Sequence, residues 1–538
     1  MIKRNLLVVG FEISLLFSFV VGYYRGHTLI ADKTCAELQV NNSSVICVCN
    51  ATYCDTVTRE EPHPRRFMVY TSSKAGLRFK KFTSILEVFD LCKVTECSTT
   101  LELEPRKRYQ TIHGFGGAIT DSAAINWSNL KDEELKQNLI ESYCGDSGIQ
   151  YNMLRVPIGG TDFSPRFYTY QDYPERDKDL SNFTLAPEDL NYKLPMIKAC
   201  MKASNDSIDI LGSLWYPPAW MKSTKKSNGI SFLEEEYYDA LALYHLKFIK
   251  EYYKQGVPIW GITTTNEPLS GITKHANDNV LGWSVYGLAN WIVNYLAPKI
   301  KRYDPSIKIL GVDDQRFTVP LWFNAALKHV PELGRAIDGI GLHYYENELV
   351  PPEIVDRCFK NYPNLFVLSS EASIHSQTNN KVDLGSWDRA EKYIKNIIED
   401  LNHNYTAWID WNVCLDKMGG PVLSKTYLDS PVIVDPDAGV FYKQPLFYAM
   451  GHFSKFIPKG SKRIQSVEKY NCGDPIKHVA FSTPMNTIVV VVFNDKNKEK
   501  VVRLKLGYSQ AKVLLEKNSI ATVEFHNDVI DESCDCEK

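Results

Sequence analysis

The chain of 538 residues carries almost no net charge: 61 Lys and Arg stand against 64 Asp and Glu, a balance of −3. Nucleic-acid binders show a basic excess or stripe, so that class is excluded. Beyond its N-terminus the sequence lacks an apolar run of the roughly 20 residues that a bilayer crossing takes. No GxGxxG follows the first predicted strand, there is no P-loop, and HExxH is missing. Nucleotide chemistry and zinc-protease chemistry therefore have no motif to rest on. The 12 His form no cluster with metal-ligand spacing, and neither a metal nor a cofactor is expected. Charged residues at 23% and hydrophobic residues at 44% exclude a disordered, collagen-like or coiled-coil chain.

Aromatic residues, by contrast, are plentiful: 10 Trp, 30 Tyr and 24 Phe make up 12% of the chain. Flat apolar faces suit sugar binding, although a rich core would use the same residues. Lys3 and Arg4 precede an apolar run over residues 6–21, broken by Glu12, and Val20, Val21 and Gly22 offer a cleavage site. Residues 1–22 thus read as a secretory signal peptide. A signal anchor would need a cleaner span. Of the 13 cysteines, Cys35, Cys47, Cys49 and Cys54 cluster early, as in a small disulfide knot of an oxidising compartment. The cluster has neither His nor CxxC spacing for zinc. Cys92 and Cys97 are a further potential pair. Acceptor sequons for N-glycans occur at Asn41, Asn42, Asn50, Asn126, Asn182, Asn205 and Asn404.

Between residues 114 and 411 eight β-like runs alternate with helical stretches: 114–119, 152–156, 208–214, 259–264, 307–312, 337–343, 366–369 and 407–411. This predicts an α/β fold, a (β/α)8 TIM barrel, over a doubly wound open sheet. Alternating strands at 67–70, 77–82 and 100–103 precede it, and others at 488–493 and 501–506 follow it. Both ends of the chain should therefore build one β-sandwich.

In such a barrel, chemistry sits at the C-terminal ends of the strands. The predicted ends carry Arg155 with Asp162-Phe163, Trp215, Asn266-Glu267-Pro268, Asp313-Asp314-Gln315-Arg316, His343-Tyr344-Tyr345, Glu371 and Trp411-Asn412. A lone strand-end Glu is usually a salt-bridge partner. Two of them, Glu267 and Glu371, on one rim among indoles and amides fit glycoside hydrolysis, with one acid and one nucleophile or base. The run Gly114-Phe115-Gly116-Gly117 reads as a tight barrel turn in preference to a phosphate loop. Gly145-Asp146-Ser147-Gly148 imitates part of a serine-protease motif, but it has no His context.

Several ordered motifs carry a resemblance: His113-Gly114-Phe115-Gly116-Gly117-Ala118, Leu154-Arg155-Val156-Pro157, Thr265-Asn266-Glu267-Pro268, Asp313-Asp314-Gln315-Arg316, Ser370-Glu371-Ala372, Gly385-Ser386-Trp387-Asp388-Arg389, Asp410-Trp411-Asn412, and Phe441-Tyr442-Lys443-Gln444-Pro445 with Gly451-His452-Phe453-Ser454-Lys455-Phe456. Together they resemble glycoside hydrolase family 30, in its glucosylceramidase branch. The resemblance implies a barrel at 108–412 with 445–460 and a β-sandwich at 61–107 with 461–531. It also implies a small disulfide-bonded N-terminal sheet at 33–60 with 413–444. In function it implies a retaining β-glucosidase of sphingolipid catabolism that cleaves glucosylceramide in the lysosome, at an anionic lipid surface and with a saposin-type activator protein. By matching position, Glu267 would be the acid/base and Glu371 the nucleophile. Asn266 would bond the 2-hydroxyl, and Asp162, Trp215 and Trp411 would hold the glucose. Arg155 and Tyr345 would keep Glu371 ionised, and Gln315 and Tyr344 would lie at the mouth.

The chain departs from the vertebrate pattern at Ala276 and Asp278, where aromatics are usual, at Ser373, where Cys is usual, and around Thr426, where an Asn is usual. The alternatives are a family 30 enzyme for another β-linked glycan and a non-catalytic carbohydrate- or lipid-binding protein.

Overall fold

The computed structural model describes residues 32–40, 43–89, 99–205, 207–273, 279–374, 381–423, 426–469 and 474–527. Eight parallel strands close into a barrel: β1 (Gly114–Ala118), β2 (Met153–Pro157), β3 (Asp209–Ser213), β4 (Gly261–Thr263), β5 (Lys308–Gln315), β6 (Gly339–His343), β7 (Phe366–Glu371) and β8 (Tyr405–Asp410). All eight coincide with the runs read from the sequence. The glycines of β1 form a strand and no turn, which corrects that expectation. Strands β1 and β2 lie so close that a Cβ at Gly116 would fall 1.7 Å from the carbonyl oxygen of Met153. Lower in the barrel Met153, Leu211, Leu310, Leu368, Ala407 and Ile409 fill the interior, so the cavity can open only above them.

Helices form where caps and apolar stripes coincide. The helix Glu133–Cys144 begins at Asp132, whose carboxylate accepts from the backbone N–H of Glu134 and Leu135. Tyr238–Lys254 and Trp387–Asn402 show the one-sided burial of barrel helices. Every residue of Pro445–Ser454 is buried. That helix is apolar nearly all round because it lies between barrel and sandwich. Its His452 bonds Thr522 and Ser72, and burial pushes the imidazole down to about 3.

One ten-stranded sheet makes the sandwich, and it draws strands from both ends of the chain, including Arg66–Ser73, Thr99–Thr111, Thr487–Asn494 and Ser519–His526. Thr487–Asn494 is buried along its whole length. Ile488, Val490 and Val492 enter the sandwich's own core, while Val489, Val491 and Phe493 join the barrel's. The two-residue period of a strand thus welds two domains together.

A third sheet pairs Val45–Cys49 with Val440–Lys443, and that strand with Val432–Asp435. Cys35 bonds Cys47 and Cys49 bonds Cys54, so the early cluster has no free thiolate for zinc. A third disulfide, Cys144–Cys200, ties two barrel helices and had no mark in the sequence. Cys92, Cys97 and residues 1–22 lie outside the described residues, as do Asn41 and Asn42. Asn50, Asn182 and Asn205 are exposed and Asn404 is half-buried. Asn126 corrects the sequon reading: it is buried in a helix and its amide donates to the carbonyl of Gly420 at 2.8 Å, leaving no room for a glycan.

The Cys144–Cys200 bond closes a 56-residue span. Chain entropy makes it worth up to about 4 kcal/mol. A Cys144→Ala/Cys200→Ala double variant should unfold at clearly lower urea concentration. An unchanged midpoint would mean that the bridge adds nothing.

Candidate active site

The strand ends converge on one cavity of about 470 Å³. Of the residues expected there, Glu267, Glu371, Asp162, Trp215, Asn266, Trp411, Tyr345 and Gln315 all line it. One carboxylate oxygen of Glu267, one of Glu371 and a ring nitrogen of His343 lie within 4.8 Å of one another.

Backbone irregularities aim these groups. Strand β5 slips its register against β6 between Val312 and Asp314, with Val312 at φ 67° and Asp313 at φ 52°. Positive φ at a β-branched residue is rare. Bulges re-aim side chains beside active sites. Here Asp313 points to the barrel axis while its neighbour Asp314 also faces the cavity. Glu267 has φ 42°, held by a hydrogen bond from its N–H to the carbonyl of Asp313 at 2.9 Å. Strain of this kind, of order 1–3 kcal/mol, persists where surrounding bonds enforce it.

Arg155 lies under the cavity floor and is wholly buried. Its guanidinium donates to Glu371, to Asp313 at 2.9 Å, to Asn266 at 2.8 Å and to Ser213 at 3.0 Å. Its charge also sits 4.8 Å from the ring of Trp215 and 5.3 Å from that of Trp411, two indoles stacked at 4.9 Å. Tyr345 donates its hydroxyl to the other oxygen of Glu371 at 2.8 Å. Glu371 therefore has a donor on each oxygen. Burial opposes charge on Asp313, but Arg155, His343 and Ser370 outweigh it and hold that carboxyl far below the usual range.

Glu267 sits in a different setting. It accepts from the Gln315 amide at 2.9 Å and lies 2.7 Å from the Ser270 hydroxyl and 3.1 Å from Nδ1 of His343. His343 bridges to Asp313 at 3.2 Å through Nε2. Burial works against its charge, yet Glu371, Asp313 and Glu267 together push the imidazole up to about 10. Carboxylates and an imidazole at this spacing could suit a metal ion, but both ring nitrogens of His343 are engaged by carboxylates.

Tyr344 corrects an expectation. It does not line this cavity. Its ring packs against Tyr345 and Tyr393 and faces a second hollow beside the helix Trp387–Asn402. Its backbone N–H, not its side chain, reaches the strand of Glu371. Ser373 is buried, bonded to the carbonyl of Asp429 at 3.4 Å, and off the cavity. Thr426 does line it, and Ala276 and Asp278 are outside the described residues. Sequence reasoning gave no role to His343, Asp313 or Asp314, although all three stand at strand ends. Phe167, Phe317, Leu423 and Leu428 add an apolar wall that no motif announced.

Two carboxyl groups this close, above stacked indoles, can cleave a glycosidic bond by double displacement; separations near 5 Å belong to that route and wider ones to inversion.

Residues 112–457 match the Glycosyl hydrolase family 30 TIM-barrel domain, and residues 460–523 match the Glycosyl hydrolase family 30 beta sandwich domain. The chain is 36% identical over 474 residues to the lysosomal acid glucosylceramidase of Mus musculus, covering 87% of this chain and 90% of that one. It is 36% identical over 426 residues to putative glucosylceramidase 3 of Caenorhabditis elegans, covering 78% and 81%. The structure of SrfJ from Salmonella typhimurium shares the fold, with a TM-score of 0.78 at 22% identity over 86% of this chain and 99% of that one. The chain belongs to glycosyl hydrolase family 30.

Proposed function

We propose that the chain is a retaining β-glucosidase that hydrolyses glucosylceramide to glucose and ceramide. The observation that carries this reading is the pair of carboxyls within 4.8 Å in unlike surroundings. Glu371, with a donor from Arg155 on one oxygen and from Tyr345 on the other, is suited to act as the nucleophile. It attacks the anomeric carbon and forms a glucosyl ester. Glu267, beside a hydroxyl and an amide, gives its proton to the ceramide oxygen and then takes one from the water that cleaves the ester. Asn266, its Oδ1 fixed by Arg155, turns its NH2 to the sugar's 2-hydroxyl. Trp215 and Trp411 give the glucose a flat wall, and Asp162 offers its hydroxyls an acceptor. The apolar wall of Phe167, Leu423 and Leu428 takes the start of the ceramide.

Glucosylceramide stays in its bilayer, so the rim must meet a lipid surface. Phe167, Ile230, Phe232, Ile272, Leu321 and Leu349 are exposed on the connections, loops and short helical turns alike, that follow β2, β3, β4, β5 and β6. Exposed apolar groups gathered on one rim are a membrane-facing feature. Among the described residues no helix is long and apolar enough to cross a membrane. The lysosomal setting of the mouse relative supports the lysosome as the compartment, reached by the secretory route, with a saposin-type activator as a candidate partner.

Release of β-glucose before its α-anomer, followed by NMR on a β-glucoside, is the expected stereochemistry. An α-anomer appearing first would overturn the double displacement. The two glutamates should separate cleanly. Glu371→Gln abolishes turnover of every glucoside. Glu267→Gln loses about 10²–10⁴-fold on substrates with poor leaving groups, far less on a nitrophenyl glucoside, and is rescued by azide. Equal loss in both variants without rescue would remove these roles.

Acid pH protonates His and some of the 64 Asp and Glu, so the net charge of −3 turns positive. Each basic residue near an anionic leaflet gains about 1 kcal/mol. Lipid hydrolysis near pH 5 should therefore be faster on anionic than on neutral liposomes, and salt should erase the difference because screening acts over about 10 Å at 0.1 M. Equal rates on both surfaces at every salt concentration would refute electrostatic docking.

A further inference from the structure

The double displacement leaves one group of buried charges unused, and it lies behind the loop that carries Asp162. Lys193, Asp121 and Asp189 are all sealed from solvent. The Lys193 ammonium stands 3.2 Å from Oδ1 of Asp121 and 3.0 Å from Oδ1 of Asp189. It also donates to the carbonyl of Pro157 at 3.3 Å and to the Tyr168 hydroxyl at 3.2 Å. Tyr168 in turn donates to Asp121 at 2.8 Å, and Tyr170 and Tyr252 donate to Asp189 at 2.8 and 2.7 Å. None of the three charged residues lines the catalytic cavity. A buried charge is tolerated only with such partners, and removing one leaves the others uncompensated, so the group favours a single arrangement.

That arrangement clamps one loop. Pro157 ends β2, and Tyr168 closes the connection that follows, where the N–H of Gly160 donates to the Tyr168 carbonyl at 3.2 Å. Asp162 lies between these two anchors and lines the cavity. Asp121 reaches further into the loop. Its Oδ2 accepts the Ser164 hydroxyl at 2.6 Å, and Ser164 Oγ accepts the backbone N–H of Thr161 at 2.8 Å. Thr161 Oγ1 accepts the N–H of Phe163 at 3.0 Å. Ser122, next to Asp121 in the helix Asp121–Ser128, donates its N–H to the Phe163 carbonyl at 3.0 Å. Both neighbours of Asp162 are thus tied to the start of that helix. The carbonyl of Asp162 itself accepts the N–H of Leu423 at 2.8 Å.

We infer that Asp121 and Ser164 are positioning residues for glucose recognition: from behind the cavity wall, without touching substrate, they fix the loop backbone that presents the Asp162 carboxyl to the sugar's hydroxyls. The inference rests on Asp162 being the glucose acceptor of the proposed function. Lys193 supplies the charge that holds Asp121 in place. A hydrogen bond to a sugar hydroxyl weakens steeply when distance or angle is lost. A binding group displaced by about 1 Å can cost on the order of 100-fold in rate.

The test is a double-mutant cycle on kcat/KM for a β-glucoside, made in the full-length enzyme. Ser164→Ala removes the link to Thr161 and leaves the charges in place, whereas Asp121→Asn keeps the shape and removes a charge. Each alone should lower kcat/KM by about tenfold or more. In an Asp162→Asn background each should cost less than about twofold further, because the group through which they act is already lost. A merely structural role lowers kcat/KM by the same factor in both backgrounds, and that result overturns the inference. Wild-type kcat/KM in Ser164→Ala also overturns it. Should Asp121→Asn fail to fold, Ser164→Ala carries the cycle alone. Wild-type kcat/KM in Asp162→Asn would defeat the glucose-binding role on which the inference rests. That failure is told apart from an additive cycle, in which Asp162→Asn does lose activity.

Discussion

One buried guanidinium organises this molecule's active end. Arg155 leaves β2 and bonds Ser213 from β3, Asn266 after β4, Asp313 in β5 and Glu371 in β7. A charge sealed from water must be matched by opposite charge and by hydrogen bonds, because its desolvation costs several kcal/mol. That demand fixes where two carboxylates stand and fixes the rotamer of Asn266. Loss of Arg155 would leave Asp313 and Glu371 buried without their cation, a penalty of about 3–5 kcal/mol. The strained backbone at Val312, Asp313 and Glu267 is the local counterpart of the same requirement.

The rest of the fold keeps those strand ends still. The wholly buried helix Pro445–Ser454 fills the seam between barrel and sandwich, and Thr487–Asn494 contributes side chains to both cores. Preorganisation of this kind matters because the facing carboxyls and the stacked indoles must be set before substrate arrives.

Much of this was legible in the sequence. Strand–helix alternation gave all eight barrel strands, because parallel strands buried on both faces are short continuous apolar runs. Even β1, rich in glycine, fell within its expected range, though glycine there serves close strand contact and not a turn. The sandwich was read only partly. Lys462–Lys469 is too polar to show strand periodicity, and its long pairing with Thr99–Thr111 is set by tertiary contact. Glu267 and Glu371 were legible because both stand at strand ends inside motifs. His343 and Asp314 stood in the same motifs, but their placement in the site depends on register slips that no local pattern reveals. Tyr344 was misread for a related reason: next to Tyr345 at a strand end, only one of the two rings can face the cavity. Asn126 has a sequon's three residues but is covered by the segment around Gly420, which comes from far along the chain.

The account stands on Glu371 being the group that bonds to the sugar. Incubating the enzyme with a glucose-configured cyclitol epoxide, digesting it and mapping the adduct by mass spectrometry tests this most directly. The account predicts one adduct per chain, on the carboxylate of Glu371, and none in Glu371→Gln. An adduct on Glu267 or Asp314, or stoichiometric labelling of Glu371→Gln, would contradict it.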